Sequence, residues 1–244
     1  CGSSSLKFAV IHPQTGQAYL TGLAEKLGLS DATITFSEPA GKKTCLPLTK
    51  GEHDEALRLV VARLTELSLI DSIAAIGHRI VHGGERFQDS ILIDETVFSD
   101  IDACSKLAPL HNPSHLVGIR CAQTCFPTLP QTAVFDTAFH QTLPQQAYLY
   151  ALPMTLYREH GVRRYGFHGT SYRYVSAKAA EWLDKPLSTL ALLCCHLGNG
   201  VSAAAISGGK SVDTTMGLTP LEGLVMGTRS GDVDPVSYTH LRAH

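Results

Sequence analysis

The chain has 244 residues, 20 basic against 22 acidic, a formal net charge of −2, and 44% apolar residues. That length and apolar content suffice for one large domain or two ordinary ones, and the near balance of charge argues against nucleic acid as a partner. No apolar run approaches a membrane span, no signal-peptide pattern opens the chain, and seven scattered cysteines without framework spacing read as reduced, cytoplasmic thiols. The first residue is Cys1 rather than methionine, so processing or truncation ahead of it is expected.

In chain order, Leu6 to Ile11 and Ala18 to Leu23 read as a β-hairpin around the turn residues Pro13 to Gly16, and Ala32 to Phe36 as a third strand. From Asp54 to Leu69 the spacing of Leu57, Val60, Val61, Leu64 and Leu67 predicts a helix with acidic residues in its first turn. SIAAIGHRIVHGG carries a short strand into a glycine-rich turn, and TAVFD is a strand ending on Asp136. Pro153 and Gly161 bracket a short helix, and GTSYRYVSAKAAEWL is an amphipathic helix with Thr170 as N-cap and Val175, Ala179 and Leu183 on one face. STLALLCC reads as a buried strand, and AAAIS with KSVDTT as a hairpin around Gly208-Gly209. Hairpins feeding crossover helices imply an α/β chain of mixed sheets flanked by helices, with a domain boundary between Leu143 and Tyr150.

Four strand-end turns carry a charged or imidazole side chain, GHRIVHGGE, FDTAFH, RYGFHGTS and HLGNG, and all but FDTAFH place it near glycine. GTRSGDVDP is a fifth such loop. Glycine permits close backbone approach and positive φ, and strand ends are where open α/β sheets place ligands. HLGNG can present successive N–H groups to an anion, although alone an ordinary Gly-Asn turn explains it better. CGSSSLK offers hydroxyls and Lys7 in the same way, or is simply the start of a hairpin. Arg79 and Arg229 together suit a ligand with carboxylate or phosphoryl oxygens; either alone reads as a structural ion pair. Asp136, ending an apolar strand, needs a metal, a cation or donors to stay charged. His168 stands just ahead of a helix, where its ring can reach an anion held at that N-terminus. His78, His82, His111, His140 and His196 stay open, whereas His12, His53 and His160 read as surface residues. Cys121 and Cys125 share a helix face without partner ligands, which favours small buried residues over zinc. His78 and His82, His111 and His115, and His240 and His244 each stand four residues apart, but none of these pairs carries the glutamate of H-E-x-x-H, and no G-x-S-x-G elbow is present, which removes the best evidence for zinc or serine hydrolases.

Taken in order, CGSSSLKF, GHRIVHGGE, APLHNP, FDTAFHQT, RYGFHGTS, CHLGNG and DTTMGLTPLEGLVMGTRSGDVDP closely resemble the acetate kinase family, of the acetate-and-sugar-kinase, Hsp70 and actin superfamily. The resemblance implies a duplicated ribonuclease-H-like fold, here 1–145 and the start of a second, incomplete domain at 146–235. It also implies a homodimer and ATP-dependent phosphorylation of acetate with Mg²⁺. By motif, Arg79 and Arg229 would bind the substrate carboxylate or the transferring phosphoryl group, with Asp136 and His168 at the reaction centre. Val81, Leu110, Phe167 and Pro220 match the pocket for the acetate methyl. His196, Leu197, Gly198, Asn199 and Gly200, with Ser3, Ser5 and Lys7, match phosphate-holding loops. Propionate kinase is the alternative within the family, and a fragment that binds phosphate or acetate without turnover is the alternative outside catalysis.

Departures from the family pattern carry expectations too. An asparagine and most of a strand normally precede the segment matching Cys1, and the histidine usual after HGTS is Tyr172 here. The family continues well past GTRSGDVDP with an adenosine pocket, dimer helices and a metal-site glutamate, so the 244-residue chain by itself is expected to be nearly inactive. No metal ligand is assigned within it. Residues 236–244 are read as a tail unrelated to the family, from a truncated or misassembled reading frame.

Overall fold

The computed structural model describes Gly2 and residues 4–242. In chain order the strands and helices are β1 (Ser5–Ile11), β2 (Ala18–Glu25), β3 (Thr33–Ser37), β4 (Lys43–Pro47), α1 (His53–Glu66), β5 (Ile76–Ile80), β6 (Ile91–Leu92), α2 (Glu95–Ala103), α3 (Asn112–Cys125) and β7 (Gln131–Phe135). They continue with α4 (Gln145–Tyr148), α5 (Met154–His160), α6 (Gly169–Leu183), β8 (Ala191–Leu197), β9 (Val201–Ser207), β10 (Lys210–Thr214) and α7 (Pro235–Arg242). The sheets have the orders β1-β2-β3-β4, β5-β7-β6 and β10-β9-β8. By contact the chain divides into two units. One holds the residues up to Arg79 with Leu92–Ser105 and Pro109–Ala133; the other holds Ile80–Ile91, Lys106–Ala108 and the chain from Val134 onward.

In the first unit β1 to β4 form an antiparallel meander. Its inward side chains Leu6, Leu20, Ala24, Ile34 and Phe36 pack on Ala56, Leu57, Val60 and Leu64 of α1. Burying such side chains is what holds a sheet to a helix, each contributing about 1.5–3 kcal/mol. Glu55, in the first turn of α1, accepts from the backbone N–H groups of Thr49, Lys50 and Gly51 at 2.8–3.0 Å, which fixes the entry to the helix. His53, read from sequence as a surface residue, is half-buried, and its Nε2 lies 2.8 Å from the Gly2 carbonyl. Cys121 and Cys125 sit on α3, partly buried against the same core. The α2 helix, which buries Val97 and Ile101 one turn apart, is started by Asp94, whose carboxylate accepts from Val97 N–H at 2.8 Å.

In the second unit β8, β9 and β10 form an antiparallel meander, with Gly208 and Gly209 both at positive φ in its tight turn. The α6 helix covers one face, with Phe139, Tyr172, Cys194, Ala204 and Ile206 as the core between. Two expectations need correction here. The N-cap of α6 is His168, in the left-handed region at φ 59°, and Thr170 lies inside the helix. The buried face runs through Gly169, Tyr172, Ser176 and Ala180, while Val175 and Leu183 are exposed. Tyr172 fills the core under this face, and at its start the helix lies close to its neighbour: a Cβ on Gly169 would stand 2.4 Å from the Asp136 carbonyl. STLALLCC is also not a buried strand, since β8 runs from Ala191 and alternates, with Cys194 buried and Leu193 and Leu197 exposed. The helix α7 after Asp234 is started by that carboxylate, which accepts from Ser237 N–H at 2.9 Å and Ser237 O–H at 2.7 Å.

Candidate active site

In the second unit the strand ends gather several of the residues singled out from sequence. Asp136 follows β7 directly and is 2% exposed. Its N–H donates to the Ile80 carbonyl at 3.0 Å, and its carbonyl accepts from Gly169 N–H at 2.9 Å. The start of α6 is thereby tied to the end of β7. His168, the residue before, is a non-glycine side chain held at positive φ, a strained conformation that persists only where its surroundings impose it.

The His168 ring stacks on that of His196, with centroids 3.9 Å apart and planes inclined by 18°. Each ring has its Nδ1 on a serine hydroxyl: Ser202 at 2.7 Å for His168 and Ser171 at 3.0 Å for His196. Both rings have their Nε2 close to glycines of the HLGNG loop. A Cβ on Gly200 would lie 3.0 Å from His168 Nε2 and 3.3 Å from Arg229 Nη1, and one on Gly198 would lie 3.4 Å from His196 Nε2. Glycine at 200 is therefore what lets an imidazole and a guanidinium crowd onto one loop. Leu197, Gly198 and Asn199 are exposed.

Arg229 is aimed by its own loop. Gly223 N–H donates to Asp232 Oδ1 at 2.8 Å, Asp232 N–H to the Gly223 carbonyl at 2.9 Å, and Met226 N–H to the Arg229 carbonyl at 2.9 Å. Its Nη1 donates to the Pro220 carbonyl at 3.0 Å. The segment carrying Pro220 is braced in turn by Arg164, whose guanidinium donates to the carbonyls of Thr214, Thr215 and Met216 and pairs with Glu222 at 3.2 Å. Tyr150 donates to Glu222 and accepts from Leu218 N–H at 2.7 Å; burial, with the Glu222 carboxylate, pushes its hydroxyl pKa upward. Val81 and Phe167 are buried together with Met216 and Met226, an apolar cluster in this same unit. The two methionines were not singled out from sequence, although both stand in motifs read for other residues.

Two of the open histidines are structural. His140 is fully buried, with Nδ1 2.7 Å from Ser211 Oγ and Nε2 2.9 Å from the Phe167 carbonyl. A carbonyl only accepts, so Nε2 carries the proton and Ser211 donates to Nδ1. Burial pushes its pKa down to about 4, as it does for His82, which packs edge-on against Tyr165 and Phe167.

Other sequence-predicted residues belong to the first unit. Arg79 is an exposed residue of β5, and its neighbour His78 places Nε2 2.8 Å from Gln131 Oε1. His115 on α3 is buried, its pKa pushed down to about 3 chiefly by burial, with the charges of His111, Arg79 and His78 adding to it. Leu110 is 79% exposed. Ser5 opens β1, Lys7 is exposed on it, and Ser3 lies outside the described residues.

Among the described residues no group of three or more His, Cys, Asp or Glu side chains is placed to hold a metal. Mg²⁺ in phosphoryl transfer takes one or two carboxylates beside substrate phosphates and water, a donor set to which Asp136 alone would fit as one member.

The architecture is that of the actin-like ATPase-type fold, as comparison with solved structures makes plain. A propionate kinase from Francisella tularensis superposes with a TM-score of 0.94 at 47% identity, covering 100% of this chain and 62% of that one. The acetate kinase of Porphyromonas gingivalis gives 0.94 at 44% identity with the same coverage. That of Entamoeba histolytica gives 0.84 at 36% identity, covering 100% of this chain and 60% of that one. The chain belongs to the acetokinase family, whose model matches residues 1–244, the nine residues after Pro235 included. Among curated relatives, the acetate kinases of Chromobacterium violaceum and Shewanella putrefaciens are 59% and 56% identical over 99% of this chain. The chain spans 60% and 61% of their lengths.

Proposed function

We propose that the protein to which this chain belongs transfers a phosphoryl group reversibly between ATP and acetate, giving acetyl phosphate and ADP. The observation that carries the reading is the convergence of His168 Nε2 and Arg229 Nη1 on Gly200, in a glycine loop able to hold phosphate oxygens. Acetate is already ionised near neutral pH, so no general base is required. The task is to bring two anions together and neutralise the phosphoryl oxygens. Arg229 grips those oxygens with its planar fork, and the same reading gives Arg79 the matching role. His168 donates a proton-bearing nitrogen to developing charge, while His196 and the 197–200 backbone, with Ser3, Ser5 and Lys7, hold nucleotide phosphates. Asp136 orients acetate or the metal through water and removes no proton. Mg²⁺ carried on the nucleotide would supply charge neutralisation.

Val81 and Phe167, buried beside Met216 and Met226, support a small apolar seat for the methyl group, to which the reading adds Leu110 and Pro220. The propionate kinase among the structural relatives favours a second reading, propionate as substrate. One methylene is worth about 1–3 kcal/mol, so kcat/KM for acetate should exceed that for propionate by roughly 10-fold or more. Equal values would undo the assignment to acetate.

The reading also carries two domains, 1–145 and 146–235, a homodimer and a cytoplasmic setting. No described helix is long and apolar enough to cross a membrane. Trapping acetyl phosphate with hydroxylamine tests the function. The whole protein should form acetyl hydroxamate from acetate, ATP and Mg²⁺, and the 244-residue chain by itself almost none. Absence of product from the whole protein would refute the reading.

A further inference from the structure

We propose that Tyr172 and Ser202 form a hydrogen-bond relay that locks His168 in the tautomer with its proton on Nε2, which makes Tyr172 a positioning residue for the site. The inference rests on the reading above only for its purpose; its geometry stands alone. Tyr172 is 1% exposed, Ser202 is fully buried, and their hydroxyls are hydrogen-bonded to each other. Ser202 Oγ lies 2.7 Å from His168 Nδ1.

Three proton arrangements fit those positions, and the surroundings choose one. Among the described residues the one acceptor offered to the Tyr172 O–H is Ser202. If Ser202 donated to Tyr172 instead, the tyrosine proton would be buried without an acceptor, at a cost of about 1–3 kcal/mol. Tyr172 therefore donates to Ser202; if His168 Nδ1 donated to Ser202 as well, the buried serine proton would in turn lack an acceptor among the described residues, so Ser202 donates to His168 Nδ1. An Nδ1 that accepts is unprotonated, so the proton sits on Nε2. Nε2 is the atom facing Gly200, which turns the ring into a hydrogen-bond donor toward whatever the loop holds.

Around the same ring, His196 stacks from β8, Arg229 Nη1 approaches the same glycine from its loop, and Ser202 reaches it from β9.

Nitrogen NMR of the 244-residue chain with ¹⁵N-labelled histidine reads the tautomer without any turnover, so its outcome is independent of whether phosphoryl transfer is found. His140 serves as the internal standard, because its Nε2 faces a carbonyl. His168, assigned through His168→Gln, should match His140 at neutral pH, with Nδ1 unprotonated and Nε2 protonated. Tyr172→Phe keeps the buried ring and frees Ser202 to turn, so His168 should become a mixture of tautomers while His140 stays unchanged. Ser202→Ala should release the lock as well. A protonated Nδ1 on His168 in the unaltered chain would overturn the proposal, and so would a His168 tautomer unmoved in both variants.

Discussion

At the scale of single residues, the site depends on side chains made small so that others can meet. Gly169 admits the Asp136 carbonyl against the start of α6, where a Cβ would stand 2.4 Å from that oxygen. Gly169→Ala should therefore destabilise the fold by about 1–3 kcal/mol, read as a lower midpoint in urea unfolding; an unchanged midpoint would mean the contact relaxes freely. Asp136 makes a sharper chemical prediction. If it orients and does not deprotonate, Asp136→Asn in the whole protein should lower kcat at every pH alike. Recovery of the lost rate at high pH would reveal a base. Asp136 was legible from sequence because it ends an apolar strand, and His168 and Arg229 because each stands in a glycine-containing turn. The serines on the two imidazoles were not. Nothing in the spacing of Ser171 and Ser202 says that they will meet His196 and His168 until β8 and β9 are registered, with His196 opposite Ser202.

At the scale of elements, strands and hairpins with turn chemistry were readable, and so was α1, whose apolar residues recur at helical spacing and are buried. The face of α6 was not. Val175 and Leu183 make the more apolar stripe, yet the helix buries Tyr172, Ser176 and Ala180, because Tyr172 fills the core under the helix while small residues beside it permit close approach. Trp182 is 85% exposed on the same helix. Trp182→Ser should accordingly change stability by no more than about 0.5 kcal/mol. Ile206→Ala, in the core under α6, should cost about 2–5 kcal/mol in the same denaturant titration. Similar costs for the two would mean the helix packs by its apolar stripe after all. The strand β8 was misread for a related reason. Its run of apolar residues suggests burial on both faces, whereas Leu193 and Leu197 are exposed in this chain. A continuous apolar run says that a strand can be covered, and says nothing about what covers it.

At the scale of the whole molecule, buried histidines couple stability to pH. Burial pushes His82 and His140 down to about 4 and His115 to about 3, while an unfolded histidine titrates near 6.5. Between those values the unfolded chain binds protons that the folded chain refuses, so acid favours unfolding. The stability these groups contribute is complete above about pH 6.5 and withdrawn as pH falls toward 4, up to about 3 kcal/mol for each. Urea midpoints measured from pH 8 to pH 4.5 should fall steeply below 6.5, and His82→Gln should flatten that slope. A midpoint constant down to pH 4.5 would contradict the burial of these rings in neutral form. Family and fold class were legible because many short motifs recur in one order across the chain. The imidazole stack and its serine partners had no such signature, since they arise from contacts between segments far apart in sequence.

The central claim is that His168 and Arg229 act together on one phosphoryl group above Gly200. A double-mutant cycle on kcat for acetyl phosphate formation, using His168→Ala, Arg229→Ala and both in the whole protein, tests it directly. The account predicts that each single change lowers kcat by about 10²–10³ and that the double change costs much less than the product of the two. Losses that multiply independently, or turnover retained in either single variant, would contradict it.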